Sequence, residues 1–179
     1  TSLANRSAKF RFRGVSAHAA GAPEKGRSAL DGVEAMDYMV NMMREHVPQE
    51  TRIHYVITAG GSAPNVVPDF AEVFYYVRHP DAETVKAIWA RLEAAAQGAA
   101  LGTGVKVDSE IIHGAHSLLL NETLARMMDD KLRVVGGVHY TDSEQAFAEK
   151  IYASLDQPDL ALGSQEAIQP YGVEHGYFS

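Results

Sequence analysis

The chain has 179 residues, of which 46% are hydrophobic, and a length of this order suits one domain, or one domain with an incomplete neighbour, around a real core. A formal net charge of −7 disfavours polyanionic partners, because nucleic-acid binding relies on Lys and Arg to neutralise phosphates. The absence of cysteine excludes a disulfide framework and a thiolate zinc site, so any metal here needs His and carboxylate ligands.

The first strand is predicted over 8–15, where Ala8, Phe10 and Phe12 alternate with Lys9, Arg11 and Arg13. A loop of small residues and proline follows over 16–25. Ala29, Leu30, Val33, Met36, Val40, Met43 and Val47 then recur at three- and four-residue steps, which predicts an amphipathic helix ended by Pro48. Ile53, Tyr55 and Ile57 share one face of a second strand that stops at Gly60-Gly61, before a turn built on Pro64, Asn65 and Pro68. A third strand over 70–78 carries Ala71, Val73, Tyr75 and Val77 on one side. After Pro80-Asp81, helical spacing returns at Val85, Ile88, Leu92, Ala95 and Ala99, and Val105 to Ile111 make a fourth strand.

This order is βαββαβ, an α+β fold in which two helices cover one face of a four-stranded antiparallel sheet. The expectation is a ferredoxin-like sandwich over 1–115. Past Gly114 the pattern predicts helices over 118–135 and 142–155 and then a Gly/Pro-interrupted tail, so 116–179 reads as part of an incomplete second domain. The first residue is not Met and the last five are HGYFS, and both ends read as cut points in a longer chain. No apolar run approaches the roughly 18 residues of a membrane helix. TSLANRSAKF also lacks the features of an export leader, so the address expected is cytoplasmic, with no membrane partner.

Eight histidines invite a search for metal ligands, but none stands in an HxH or HxxxH pair. His46, near a helix end, suits the helix dipole, and His54 falls on the outward face of its strand. His79, His139 and His175 fall in expected loops, and His113 ends a strand. The adjacent acids Asp129-Asp130 lie within a helix, where a solvated face accounts for them. His18 differs. It lies in SAHAAGAPEKG, a loop of small residues between strand and helix, where backbone and ligand can approach closely and an imidazole can polarise a carbonyl. The plainer account is a loop histidine bonded to nearby backbone.

The segments GVSAHAAGAPEKGRSALDGVEAM and GGSAPNVVPDFAEVFYYVR, set one strand apart, resemble the dimerisation-domain signature of the dinuclear-metal exopeptidases and amidohydrolases related to glutamate carboxypeptidase. Within that family the wording is most similar to the aminobenzoyl-glutamate hydrolase branch. The resemblance implies a lid domain that pairs with an identical chain or a related subunit, in a parent that hydrolyses an amide such as p-aminobenzoyl-glutamate with two divalent metal ions, zinc or manganese. By the same resemblance His18 reaches into the partner's active site and stabilises the oxyanion, and Asn65 helps to bind substrate nearby. Asn65 has an alternative account as a turn residue tolerant of left-handed geometry. Arg78 is a candidate clamp for a glutamyl carboxylate, set against the plainer account of a solvated strand end. The family's metal ligands, an HxD pair and a Glu-Glu pair among them, have no match here, so no metal is expected in this fragment and the fragment is expected to be inactive alone.

Two other classes stand beside this one. An RNA-binding module uses the same element order and the third strand has aromatics, but the charge and the lack of a basic Gly-rich motif count against it. A non-catalytic dimerisation or small-ligand module makes His18 and Asn65 structural.

Overall fold

The computed structural model describes residues 2–155 and 167–172, and these divide into two compact units after Leu118. The first holds β1 (Ala4–Arg13), α1 (Ala29–Met43), β2 (Arg52–Ala59), β3 (Phe70–His79), α2 (Ala82–Thr103) and β4 (Lys106–Ala115). The sheet is antiparallel throughout in the order β2-β3-β1-β4, so the expected βαββαβ sandwich is present, with β2 and β4 as its edges.

Alternation along the two central strands creates one closed face and one open one. Ala8, Phe10 and Phe12 of β1, with Val73, Tyr75 and Val77 of β3, are buried with Val33, Met36 and Val40 of α1 and Ile88, Trp89 and Leu92 of α2. Phe10 sits 6.0 Å from Tyr75, edge to face, and 6.0 Å from Trp89. The opposite residues of β1 pair in the open: Lys9 and Arg11 meet Glu72 at 2.9 and 2.8 Å, Arg11 also meets Glu110, and Arg13 lies 3.4 Å from Asp108. Burial pushes the Glu72 carboxyl up, but bonds from Lys9, Thr58 and Arg11 outweigh it and hold Glu72 down at about 2.

Several boundaries differ from the expected ones. β4 continues to Ala115 rather than stopping near Ile111, because a bulge opposite Ser7 and Ala8 lets pairing resume beyond it. α1 ends at Met43 and a 3-10 turn, Arg44–His46, leads to an extended Val47, the conformation favoured before Pro48. His79 is not in a loop: it closes β3, is buried, and its Nδ1 accepts the Asp81 N–H at 2.9 Å.

The second unit contains α3 (Glu122–Val135), capped by Asn121, and α4 (Asp142–Tyr152), opened by a Thr141–Glu144 capping box. Asp129 accepts both forks of Arg133, at 2.9 and 3.0 Å, while Asp130 is exposed. Leu124, Met127, Met128 and Leu132 of α3 and Phe147 and Ile151 of α4 are exposed apolar residues. His175 and most of the expected irregular tail lie outside the described residues.

One ionisable pair is shut inside the first unit. Asp37 of α1 is 6% exposed and accepts the hydroxyl of the buried Tyr75. Desolvation drives the Asp37 carboxyl up to about 6, against the opposing effects of Tyr75 and Arg44, and the Tyr75 hydroxyl is pushed well above its usual value by burial and by Asp37. A carboxyl raised on folding contributes stability that is full below its unfolded value near 4 and lost as pH rises through about 6. Asp37→Asn keeps the acceptor for Tyr75 and removes the charge. Thermal unfolding should show it more stable than the parent chain at pH 7 by roughly 1–3 kcal/mol, with the difference vanishing by about pH 4. A variant less stable at both pH values would contradict this account of Asp37.

Candidate functional site

The segment carrying His18 is held by an extension of the central pairing. β1 and β3 pair from Ala4↔His79 to Arg13↔Phe70, and beyond their ends the backbone continues to bond across. Gly14 N–H donates to the Asp69 carbonyl at 2.8 Å, Val67 N–H to Ala17 at 2.9 Å, and Ala19 N–H to Asn65 at 3.0 Å, with a bridge between His18 and Val66. The loop after β1 and the turn before β3 are thus zipped together. Gly14 is required, because a Cβ there would lie 1.9 Å from the Arg27 carbonyl oxygen, and Val15 and Arg27 exchange backbone bonds at 2.8 and 2.9 Å.

His18 is exposed, yet its ring is oriented. Nδ1 accepts the backbone N–H groups of Ala20 at 3.2 Å and Gly21 at 3.0 Å, while the His18 carbonyl accepts Ala22 N–H at 3.0 Å. A ring nitrogen that accepts two N–H groups carries no proton of its own, so in the neutral imidazole the proton resides on Nε2. His18 therefore presents an N–H donor from a one-turn cradle of small residues. That donor can polarise a carbonyl or hold a developing oxyanion.

Asn65 stands beside His18 through the Ala19 bond, but its backbone carbonyl makes the contact and its side-chain amide takes no part in the bonds that hold the loop. Its suggested left-handed geometry is absent, since among the described residues only glycines have positive φ, and the one in this turn is Gly61 at 106°. Turn strain therefore does not account for the asparagine.

Arg78 is elsewhere. It lies on the open face at the other end of β3, eight residues from Phe70, which at about 3.3 Å per residue is some 26 Å away. Its guanidinium sits 4.6 Å over the Tyr76 ring, and its Nε is buried without a hydrogen-bond partner. Directly opposite on β2 is Arg52, which has no motif around it and is revealed only by the register. Arg52 Nη1 donates to the carbonyls of Gln49 and Thr51, both at 2.8 Å. Among the described residues no three His, Asp or Glu side chains are grouped to hold a metal ion. Nor is any helix there long and apolar enough to cross a membrane.

Against known proteins, the pattern of the peptidase dimerisation domain matches residues 5–103, from β1 to the end of α2. The chain belongs to the peptidase dimerisation domain family. It is 42% identical over 175 residues to one of the subunits of p-aminobenzoyl-glutamate hydrolase of Escherichia coli (strain K12), a match that covers 97% of this chain and 36% of that protein. It is also 28% identical over 135 residues to Xaa-Arg dipeptidase of Mus musculus, covering 75% of this chain and 31% of the relative. A crystal structure of aminobenzoyl-glutamate utilization protein from Klebsiella pneumoniae shares the fold, with a TM-score of 0.65 at 23% identity, over 77% of this chain and 35% of that one. The chain thus spans about a third of the length of these relatives. By their names both of these sequence relatives are hydrolases.

The orientation of His18 is directly measurable. In the neutral ring at alkaline pH, a long-range ¹H–¹⁵N correlation spectrum should show His18 protonated at Nε2. An Nδ1–H tautomer, or an averaged mixture of the two, would contradict the cradle described above.

Proposed function

We propose that residues 1–115 are the lid and dimerisation domain of a cytoplasmic, metal-dependent amidohydrolase, and that 116–179 are the returning portion of its catalytic domain. The reaction is hydrolysis of an N-acyl amino acid amide such as p-aminobenzoyl-glutamate. The single observation that carries this reading is that two backbone N–H groups meet Nδ1 of the exposed His18, which leaves Nε2 as the ring's donor. A fixed donor at an exposed loop is what an amide carbonyl needs as it becomes tetrahedral. Such a parent works with two divalent ions, zinc or manganese, and among the described residues no group of three His, Asp or Glu side chains could hold one. When bound they supply an activated water.

The distance between His18 and Arg78 bears on how the site is assembled. At some 26 Å along β3, the two ends of one sheet cannot contact one small substrate. Pairing of two lids resolves this. β2 is an edge strand whose Val56 and Ile57 are exposed, and Tyr38 and Met42 of α1 are exposed as well. Antiparallel pairing of β2 with its counterpart, in an identical chain or a related subunit, brings the His18 end of one sheet level with the Arg78 end of the other. One active site then takes His18 and Asn65 from the partner and Arg78 from its own lid, where the guanidinium clamps the substrate carboxylate.

In the full-length parent, His18→Ala should lower kcat by roughly 10²–10³-fold, with KM changed far less and bound metal unchanged by elemental analysis. Near-normal kinetics would remove the role given to His18, and loss of metal would replace it with a different one.

A further inference from the structure

The open face of the sheet is divided into two electrostatic halves. Toward the His18 end, the cations of β1 are neutralised in place: Lys9 and Arg11 by Glu72, Arg11 again by Glu110, and Arg13 by Asp108. Toward the other end, Arg52 and Arg78 are Cα partners across β2 and β3, and among the described residues neither pairs with a carboxylate. Like charges directly opposite on one face of an antiparallel pair repel, so this arrangement costs stability unless an anion joins it.

One of these two arginines also has an unmet donor. The buried side-chain atoms without partners among the described residues are Ser7 Oγ, Thr51 Oγ1 and Arg78 Nε. Of the three, Arg78 Nε belongs to the cation pair itself, and a buried donor left unpaired is costly. Arg52 is also positioned: its Nη1 is tied to two carbonyls, while the remaining donors of its fork are left for an anion.

We infer that Arg52 and Arg78 form a two-cation platform for the dicarboxylate end of the substrate, with Arg52 selecting amides of dicarboxylic amino acids over those carrying one carboxylate. This rests on the reading above in which Arg78 clamps a substrate carboxylate. Arg78 takes the carboxylate common to every such amide. Arg52 takes the second carboxylate, on the amino acid side chain.

The test compares p-aminobenzoyl-glutamate with p-aminobenzoyl-glutamine, an isostere that keeps the common carboxylate but has a neutral side chain, on the full-length parent and on Arg52→Gln, Arg52→Lys and Arg78→Gln. Arg52→Gln should lose about 10–100-fold in kcat/KM on the glutamate substrate, mainly through KM, and keep its rate on the glutamine substrate, with Arg52→Lys restoring part of the preference. Equal losses on both substrates, or none on either, would overturn the role of Arg52. Arg78→Gln should lower both rates, and if it lowers neither, the clamp itself is wrong whatever Arg52 does. The unsubstituted parent supplies a measurement independent of folding: glutarate should inhibit at least about tenfold more strongly than butyrate, and equal inhibition would overturn the platform.

Discussion

Because β1 and β3 pair antiparallel through the middle of the sheet, from Ala4↔His79 to Arg13↔Phe70, their register decides nearly everything else about this unit. It sets which side chains turn inward, and so where α1 and α2 bury their apolar faces. It also leaves the opposite face open, with ion pairs at one end and uncompensated arginines at the other. The pairing does not stop with the strands. Carried on by Gly14, Ala17 and Ala19 against Asp69, Val67 and Asn65, it turns two irregular connections into one braced projection that holds His18. Loops positioned by a rigid scaffold are common carriers of function, and here the brace is backbone bonding.

The two ends of the sheet have different chemical characters. One presents an oriented imidazole, the other two arginines without carboxylate partners among the described residues. The proposed amide substrate would use both, a donor for the carbonyl and cations for the carboxylates, yet one chain holds them too far apart. An edge strand free to pair supplies the geometry that the single sheet lacks. On this account dimerisation is a condition for a complete site. On the proposed function, the pairing of lids and the chemistry of His18 are one problem, and exposed apolar residues on β2 and α1 accompany the His18 loop for that reason.

Much of this is legible in the sequence where side chains report on burial. Phe10 and Phe12 against Lys9 and Arg11 announce β1, and Val33, Met36 and Val40 announce the inner face of α1. Legibility fails where the backbone alone acts or where register matters. The extent of β4 is hidden because an edge strand exposed on both faces has no burial alternation, and its bulge leaves no side-chain signature. His79 resembles a loop residue because the following proline suggests that β3 has already ended. His18 stands out by its small neighbours, but the Nδ1 bonds that orient it become visible only with the fold. Arg52 carries no local signal, since its meaning comes from Arg78, which is 26 positions further along the chain.

The central claim is that one active site uses the His18 end of one lid and the Arg78 end of the other. Mixing full-length His18→Ala and Arg78→Gln chains, each nearly inactive alone, tests it most directly. In a mixed dimer one site has both groups intact and the other has neither, so after random exchange about a quarter of the unsubstituted activity should return. If both groups serve from the same chain, every site carries one defect. No recovery, with mixed dimers shown to form, would contradict the account.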